Sequence, residues 1–308
     1  MPRLLPVRRR YRRLCLLILA LLVVGLPVSC AKLEQKEREL VFRIEAGDAA
    51  WFSGLPPGIQ ELWLGADSLG AGQGIHAWWW PAADADAPAL LYLHGVRWNL
   101  TGHLFRLEQL RKLGFSVLAI DYRGFGQSPG ELPSERSVYV DARIGWEHLR
   151  TLQPAAGKRF IYGHSLGGAV AVDLAAALGE QAERDGTAAQ ARALIIESTF
   201  TSLADVATVV SDTALPVRWL LSQKFDSLEK IERIGMPLLV VHGSADRYVP
   251  ARFSEQLYRA ARQPKKLLLV DGATHNDSLR VAPAAYARAL QALLESAPQP
   301  PVTLSRRG

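Results

Sequence analysis

The chain has 308 residues, 49% of them hydrophobic and 21% charged, enough to bury the core of one large alpha/beta domain rather than two small ones. Its formal charge of +6 belongs to residues 1–30, where Arg3, Arg8, Arg9, Arg10, Arg12 and Arg13 stand with no acid among them. Taking those six from the 36 basic residues leaves 30 against 30 acidic ones, and a folded part without a cationic field argues against a nucleic-acid partner.

In chain order, the first element is a leader. Arg8 to Arg13 form a positive region, Leu14 to Leu26 an apolar run of 13 residues, and Pro27-Val28-Ser29-Cys30-Ala31 a small-residue exit. This is the three-part pattern of a secretory signal. Thirteen residues rise about 20 Å as a helix, short of the ~30 Å hydrocarbon core, so a cleaved signal is favoured over a span. A short anchor and lipidation of Cys30 stay open, the latter because Val28-Ser29-Cys30 resembles the end of a bacterial lipoprotein signal, with Pro27 where that pattern has Leu. Residues 1–31 are therefore expected to direct export and to hold the catalytic domain at the membrane, arginines on the cytoplasmic side. The oligomeric state is not legible. Both cysteines lie in this leader, so no disulfide is expected in the folded domain.

Lys32 to Arg38 is a solvated charged stretch, and Leu40 to Ile44 is expected to be a first strand, so that residues 32–47 form a linker and first-strand region before a catalytic domain at 48–296. Eight further strands are predicted at Glu61 to Gly65, Gly74 to Trp80, Ala89 to His94, Ser116 to Asp121, Arg159 to Gly163, Ala193 to Glu197, Leu238 to His242 and Lys266 to Val270. Several are unbroken apolar runs, as in strands covered on both faces. They alternate with helical patterns at Gly102 to Leu113, Glu135 to Leu152, Leu166 to Ala182, Ala251 to Ala261 and Pro283 to Leu294, the signature of beta-alpha-beta units on a mostly parallel sheet. The segment at about 200–236 can supply only two or three short helices, so any lid over a site is small. Residues 297–308, rich in Pro and Arg, are expected to be a disordered tail.

The chemistry is concentrated in three places. Phe160 to Gly168 reads as an apolar strand, the turn Gly163-His164-Ser165-Leu166-Gly167, then an Ala-rich helix. That order is a nucleophile elbow, in which glycines permit a turn too tight for side chains and the serine stands at a helix N-terminus. A serine hydroxyl needs a base to take its proton. Of seven histidines, His275 lies in a Gly-containing loop after the last strand, at the edge where ligands enter an open parallel sheet. His94, His164 and His242 sit in tight turns and read as structural hydrogen bonders; His76, His103 and His148 read as packed or surface residues. The base in turn needs an acid to orient it. Asp246, in the turn after Leu238 to His242, is that candidate, whereas Asp271 and Asp277 flank the histidine too closely and read as turn and capping residues. Two backbone N–H groups, of Val96 and Leu166, are expected to receive the oxyanion.

With these motifs, His94-Gly95, Asp121-Tyr122-Arg123-Gly124-Phe125-Gly126, Glu197-Ser198-Thr199-Phe200-Thr201-Ser202, Phe225 to Ile231 and His242-Gly243-Ser244-Ala245-Asp246, the chain from Glu61 to Leu294 resembles an alpha/beta-hydrolase of the branch that holds lysophospholipid lipases, protein depalmitoylases and serine-aminopeptidase-like hydrolases. The resemblance implies an eight-stranded, mostly parallel sheet with helices on both faces and a small lid. It implies hydrolysis of carboxylic esters or thioesters of small or lipid-like acyl substrates, through an acyl-enzyme. Relatives usually continue His-Gly with Asn-Ala, where this chain has Val96-Arg97-Trp98. An aminopeptidase-like amidase and a non-catalytic scaffold are the competing readings. Asp121 and Arg123 read as a turn held by local ion pairing rather than a substrate clamp, and Trp78-Trp79-Trp80 as strand residues that pack on both sheet faces. No spacing suggests a metal, and no cofactor is required.

Overall fold

A computed structural model describes residues 31–69, 74–211 and 217–296. The leader before Ala31 and the tail after Ser296 lie outside these residues, and so do the expectations placed on them. Among the described residues no helix is long and apolar enough to cross a membrane.

Eight strands form one sheet: β1 (Gln60–Leu64), β2 (Ile75–Trp80), β3 (Ala89–Leu93), β4 (Ser116–Ile120), β5 (Arg159–His164), β6 (Ala193–Glu197), β7 (Leu238–Gly243) and β8 (Lys265–Val270). Their spatial order is β1-β2-β4-β3-β5-β6-β7-β8. β2 runs antiparallel to β1 and β4, and all later pairings are parallel. β4 lies on one side of β3 and β5 on the other, which puts the switch point, and so the ligand crevice, at the C-terminal ends of β3 and β5.

The long helices are α3 (Leu100–Lys112), α4 (Glu135–Leu152), α5 (Leu166–Asp185), α9 (Arg252–Ala260) and α11 (Pro283–Ser296); α2 and α10 are the single turns Ala66–Leu69 and Ser278–Val281. Period-two alternation divides the core. Leu91, Leu93, Ile161, Leu194 and Val240 face α4, α5 and α9, while Leu90, Tyr92, Tyr162, Ile195 and Val241 face α3 and α11. The tryptophan run behaves as strand geometry requires: Trp78 and Trp80 join the second layer and Trp79 packs on the first. The segment between β6 and β7 holds α6 (Leu203–Ser211), α7 (Val217–Leu220), α8 (Ser227–Lys230) and a 3-10 turn at Ile231–Arg233.

One expected element is absent. Leu40 to Ile44 is not a strand: residues 31–42 form helix α1, and the chain from Arg43 to Ile44 is irregular. Phe42 is fully buried between Phe125 and Phe225, with edge-on ring separations of 6.4 and 6.1 Å. Earlier in the helix Glu37 accepts hydrogen bonds from Ser222 N and Gln223 N, and Arg38 donates to the Pro133 and Leu132 carbonyls. These contacts reach residues 83 or more positions away and outweigh the beta preference of Leu-Val-Phe-Arg-Ile.

The pair Asp121 and Arg123 also departs from a purely local turn. Arg123 Nε donates to Asp141 Oδ1 on α4 at 2.7 Å, and Asp121 Oδ1 accepts Leu100 N at the start of α3 at 2.9 Å. Both side chains bind elements of the fold, so neither is left as a substrate clamp.

Candidate active site

The elbow after β5 has the geometry its glycines require. Ser165 sits at φ 55°, ψ −120°, a sparsely populated region for a residue with a side chain and one that persists only when its surroundings hold it. Ser165 N donates to Glu197 O at 2.9 Å, and Thr199 Oγ1 donates to Ser165 O at 2.8 Å. A Cβ on Gly163 would overlap the Gly167 carbonyl, and one on Gly167 would overlap the Leu93 carbonyl. Both positions are therefore closed to any other residue without moving backbone.

Leu166 is the first residue of α5, so its N–H is one of the helix donors without an intrahelical acceptor. The loop after β3 comes equally close. A Cβ on Gly95 would lie 3.0 Å from Ser165 Cβ, which places the next residue, Val96, beside the elbow. Arg97 and Trp98 then take left-handed conformations (φ 65° and 57°), turning the chain into α3, where Asn99 caps the helix through Thr101 N.

His275 and Asp246 are brought together. His275 Nδ1 is 2.7 Å from Asp246 Oδ2, and the carboxylate is fully buried. Asp246 Oδ1 accepts the N–H groups of Tyr248 and Val249 at 2.8 and 3.0 Å. Its Oδ2 accepts a second histidine, His242 Nε2, at 3.1 Å. His242 Nε2 also donates to Val249 O at 2.9 Å, and its Nδ1 lies 2.6 Å from Ser254 Oγ. This fixes Nε2 as the protonated nitrogen of His242. Burial raises the Asp246 pKa, but the hydrogen bonds from His242, His275 and Val249 N–H outweigh it and hold the carboxyl well below the usual carboxylate range. Asp271 accepts from Ser244 Oγ, and Asp277 caps Thr274 N and pairs with Arg280; both act in the loop as the sequence suggests.

The His275 loop is anchored to the elbow from below. His164 Nε2 donates to His275 O at 2.9 Å, and the two rings lie 5.0 Å apart. Arg106 Nη2, from α3, donates to the next carbonyl, Asn276 O, at 2.9 Å, while Nη1 donates to Glu197 Oε1 at 2.7 Å. Glu197 Oε2 accepts the Tyr162 and Tyr286 hydroxyls. Arg106 and Glu197 are 1% and 0% exposed, and stranding either charge by removing its partner costs about 3–5 kcal/mol. Sequence reading missed this pair. The only signal was an arginine three residues after His103 and four before Leu110 on the buried side of α3, and nothing in the spacing named its partners.

Three buried histidine rings lead away from the site: His164 to His103 at 6.2 Å and His103 to His94 at 5.4 Å. Burial lowers the pKa of all three, and the nearby Arg106 charge lowers those of His103 and His164 further. A folded-state pKa below the unfolded value of ~6.5 means that the unfolded chain binds more protons below that pH. The stabilisation is complete above pH ~6.5 and is lost as pH falls. His76 works the other way: its burial is outweighed by the hydrogen bonds to Asp121 and Glu61, which raise its pKa. Its contribution therefore grows as pH falls from that raised value through ~6.5, offsets part of the loss there, and is complete below. Denaturant titrations between pH 7 and 5 should show unfolding free energy falling by about 1.4 kcal/mol per pH unit for each histidine titrated. A flat profile would contradict three neutral buried rings.

Comparison with known proteins identifies the family. The family described as "Serine aminopeptidase, S33" matches residues 86–229. The Mycobacterium tuberculosis protein Rv2307c is 35% identical over 244 residues, covering 79% of this chain and 81% of that protein. The chain is an alpha/beta hydrolase. The hydrolase is also 32% identical over 204 residues to the lysophosphatidylserine lipase ABHD12 of Danio rerio, covering 62% of this chain and 51% of that protein. In three dimensions it is similar to the Pyrococcus furiosus esterase Pf2001, with a TM-score of 0.62 at 18% identity, over 82% of this chain and 97% of that one.

Proposed function

We propose that this hydrolase cleaves carboxylic esters or thioesters of acyl substrates through a covalent serine intermediate. The observation that carries the reading is the 2.7 Å hydrogen bond from His275 Nδ1 to buried Asp246, in a loop tied to the Ser165 elbow by His164. With Nδ1–H committed to the carboxylate, the lone pair of His275 Nε2 is left to take a proton.

Ser165 Oγ attacks the acyl carbon as His275 takes the hydroxyl proton. The oxyanion is met by the N–H groups of Leu166 and Val96, and the helix N-terminus adds a favourable field. Collapse breaks the bond to the alcohol or thiol, which leaves with the proton from His275. Water, deprotonated by the same ring, then attacks the acyl-serine and releases the acid. No cofactor or metal enters these steps.

Acyl chains are favoured by the apolar surroundings. Trp51 and Trp98 meet edge-on at 5.1 Å, the exposed ring of Tyr248 lies 5.7 Å from His275, and the insert that starts beside Thr199 exposes Val210, Trp219 and Leu220. The lipid-directed name of the zebrafish relative points the same way. The leader pattern extends the proposal to export, with the catalytic domain held at the membrane surface.

The test is a fluorophosphonate probe followed by nitrophenyl esters of rising chain length, acyl thioesters and aminoacyl anilides. Labelling and ester or thioester turnover are expected, with anilides slower. Aminoacyl anilides turned over faster than every ester would replace this reading with an amidase. Mass spectrometry of the mature N-terminus, with protease accessibility in intact cells, tests the location; a full-length protein free in the cytoplasm would overturn it.

A further inference from the structure

The base arrives from β8, with β7 and β6 between it and the nucleophile strand β5. Its loop must cross those strands and still present one ring nitrogen to Ser165 within a few tenths of an ångström. Two consecutive carbonyls of that loop, His275 O and Asn276 O, are each held by a buried side chain, His164 from the elbow and Arg106 from α3. The same guanidinium is fixed by Glu197, whose own backbone carbonyl accepts Ser165 N–H. One residue, Glu197, therefore grips the nucleophile through its main chain and the base loop through Arg106.

We propose that Arg106 is a positioning residue that sets the His275 loop against Ser165, with Glu197 as its anchor; the inference rests on the serine-hydrolase reading above. A planar fork suits the task because one arm, Nη1, meets the Glu197 carboxylate while the other, Nη2, meets the Asn276 carbonyl, each with a fixed direction. Packing alone does not call for a charge here, since well-packed apolar residues commonly stabilise such a position as well as a buried ion pair. Tyr162 and Tyr286 on the second Glu197 oxygen, with Tyr162 also 3.4 Å from Arg106 Nη1, keep the anchor from swinging.

Two variants test this in the full-length protein. Arg106→Lys keeps a positive charge beside Glu197 but replaces the two fixed directions of the fork with one shorter, freely rotating ammonium. The double variant Arg106→Met with Glu197→Gln removes both charges, so no buried ion is stranded if the lysine form folds poorly. In whichever variant melts cooperatively, kcat on a soluble nitrophenyl ester should fall on the order of 10²-fold, with KM within about twofold and the fluorophosphonate labelling rate falling in parallel. Wild-type kcat and labelling in a folded variant overturn the proposal. So does a loss of kcat that returns when a stabilising osmolyte restores the melting temperature, because that is the behaviour of a purely structural contact. Ser165→Ala is run alongside: if it still labels, the serine reading itself has failed, whereas a silent Ser165→Ala with fully active Arg106 variants rejects the positioning role alone.

Discussion

Ser165→Ala is expected to abolish fluorophosphonate labelling and to lower kcat on esters by about 10⁴- to 10⁶-fold, because the proposed mechanism forms its acyl bond on this hydroxyl. The fold should survive. The substitution removes one hydroxyl, keeps the Cβ that meets Gly95, and leaves Ser165 N and O, which bond Glu197 and Thr199, as backbone groups. Its unusual backbone angles are imposed by those two bonds and by the elbow glycines, and alanine experiences the same strain. The melting temperature should therefore move by a few degrees at most. Labelling that persists in a well-folded Ser165→Ala protein would mean that another nucleophile carries the chemistry.

Asp246→Asn is expected to cut kcat on the order of 10⁴-fold, the size seen when a triad acid becomes an amide. The structure gives this change a particular cause. Oδ2 of Asp246 accepts from two rings, His275 Nδ1 and His242 Nε2, while Oδ1 accepts two backbone N–H groups. An asparagine that keeps its oxygen on the backbone donors must turn its NH₂ toward both rings. His242 is held as the Nε2–H form by Val249 O and Ser254, so it faces a donor with a donor. His275 can escape only by moving its proton to Nε2, which removes the lone pair needed by Ser165. Activity should fall far more than stability, and Asp271→Asn and Asp277→Asn should be mild by comparison, since those carboxylates bond Ser244, Thr274 and Arg280. If either of the latter proves the more damaging change in kcat, the choice of acid is wrong.

Much of the scaffold was readable because it depends on local rules. Short unbroken apolar runs bounded by turn signals favour strands covered on both faces, and all eight strands predicted after residue 60 exist with ends within one residue of those expected. Glu135 to Leu152 appears with its predicted ends, opened by the Ser134 and Ser137 capping box. The elbow was legible for the same reason, since strand, tight glycine turn and helix follow one another within ten residues. Leu40 to Ile44 failed because its composition favours a strand, while the fate of Phe42 is decided by Phe125 and Phe225, which lie 83 and 183 positions further along.

By itself, then, the sequence determined the layer order, the turn that holds Ser165, and a short set of histidines and acids at strand ends, all through periodicities and spacings of a few residues. Only the tertiary structure decided which of those groups meet. It joined His275 to Asp246, gave Asp246 a second histidine, and drew Arg106, Glu197 and Asn276 into one buried contact. The separations there are 91 and 170 residues, and no local pattern encodes such pairings. They follow from the order in which the strands lie side by side and from the need of every buried polar group to find a partner once water is gone.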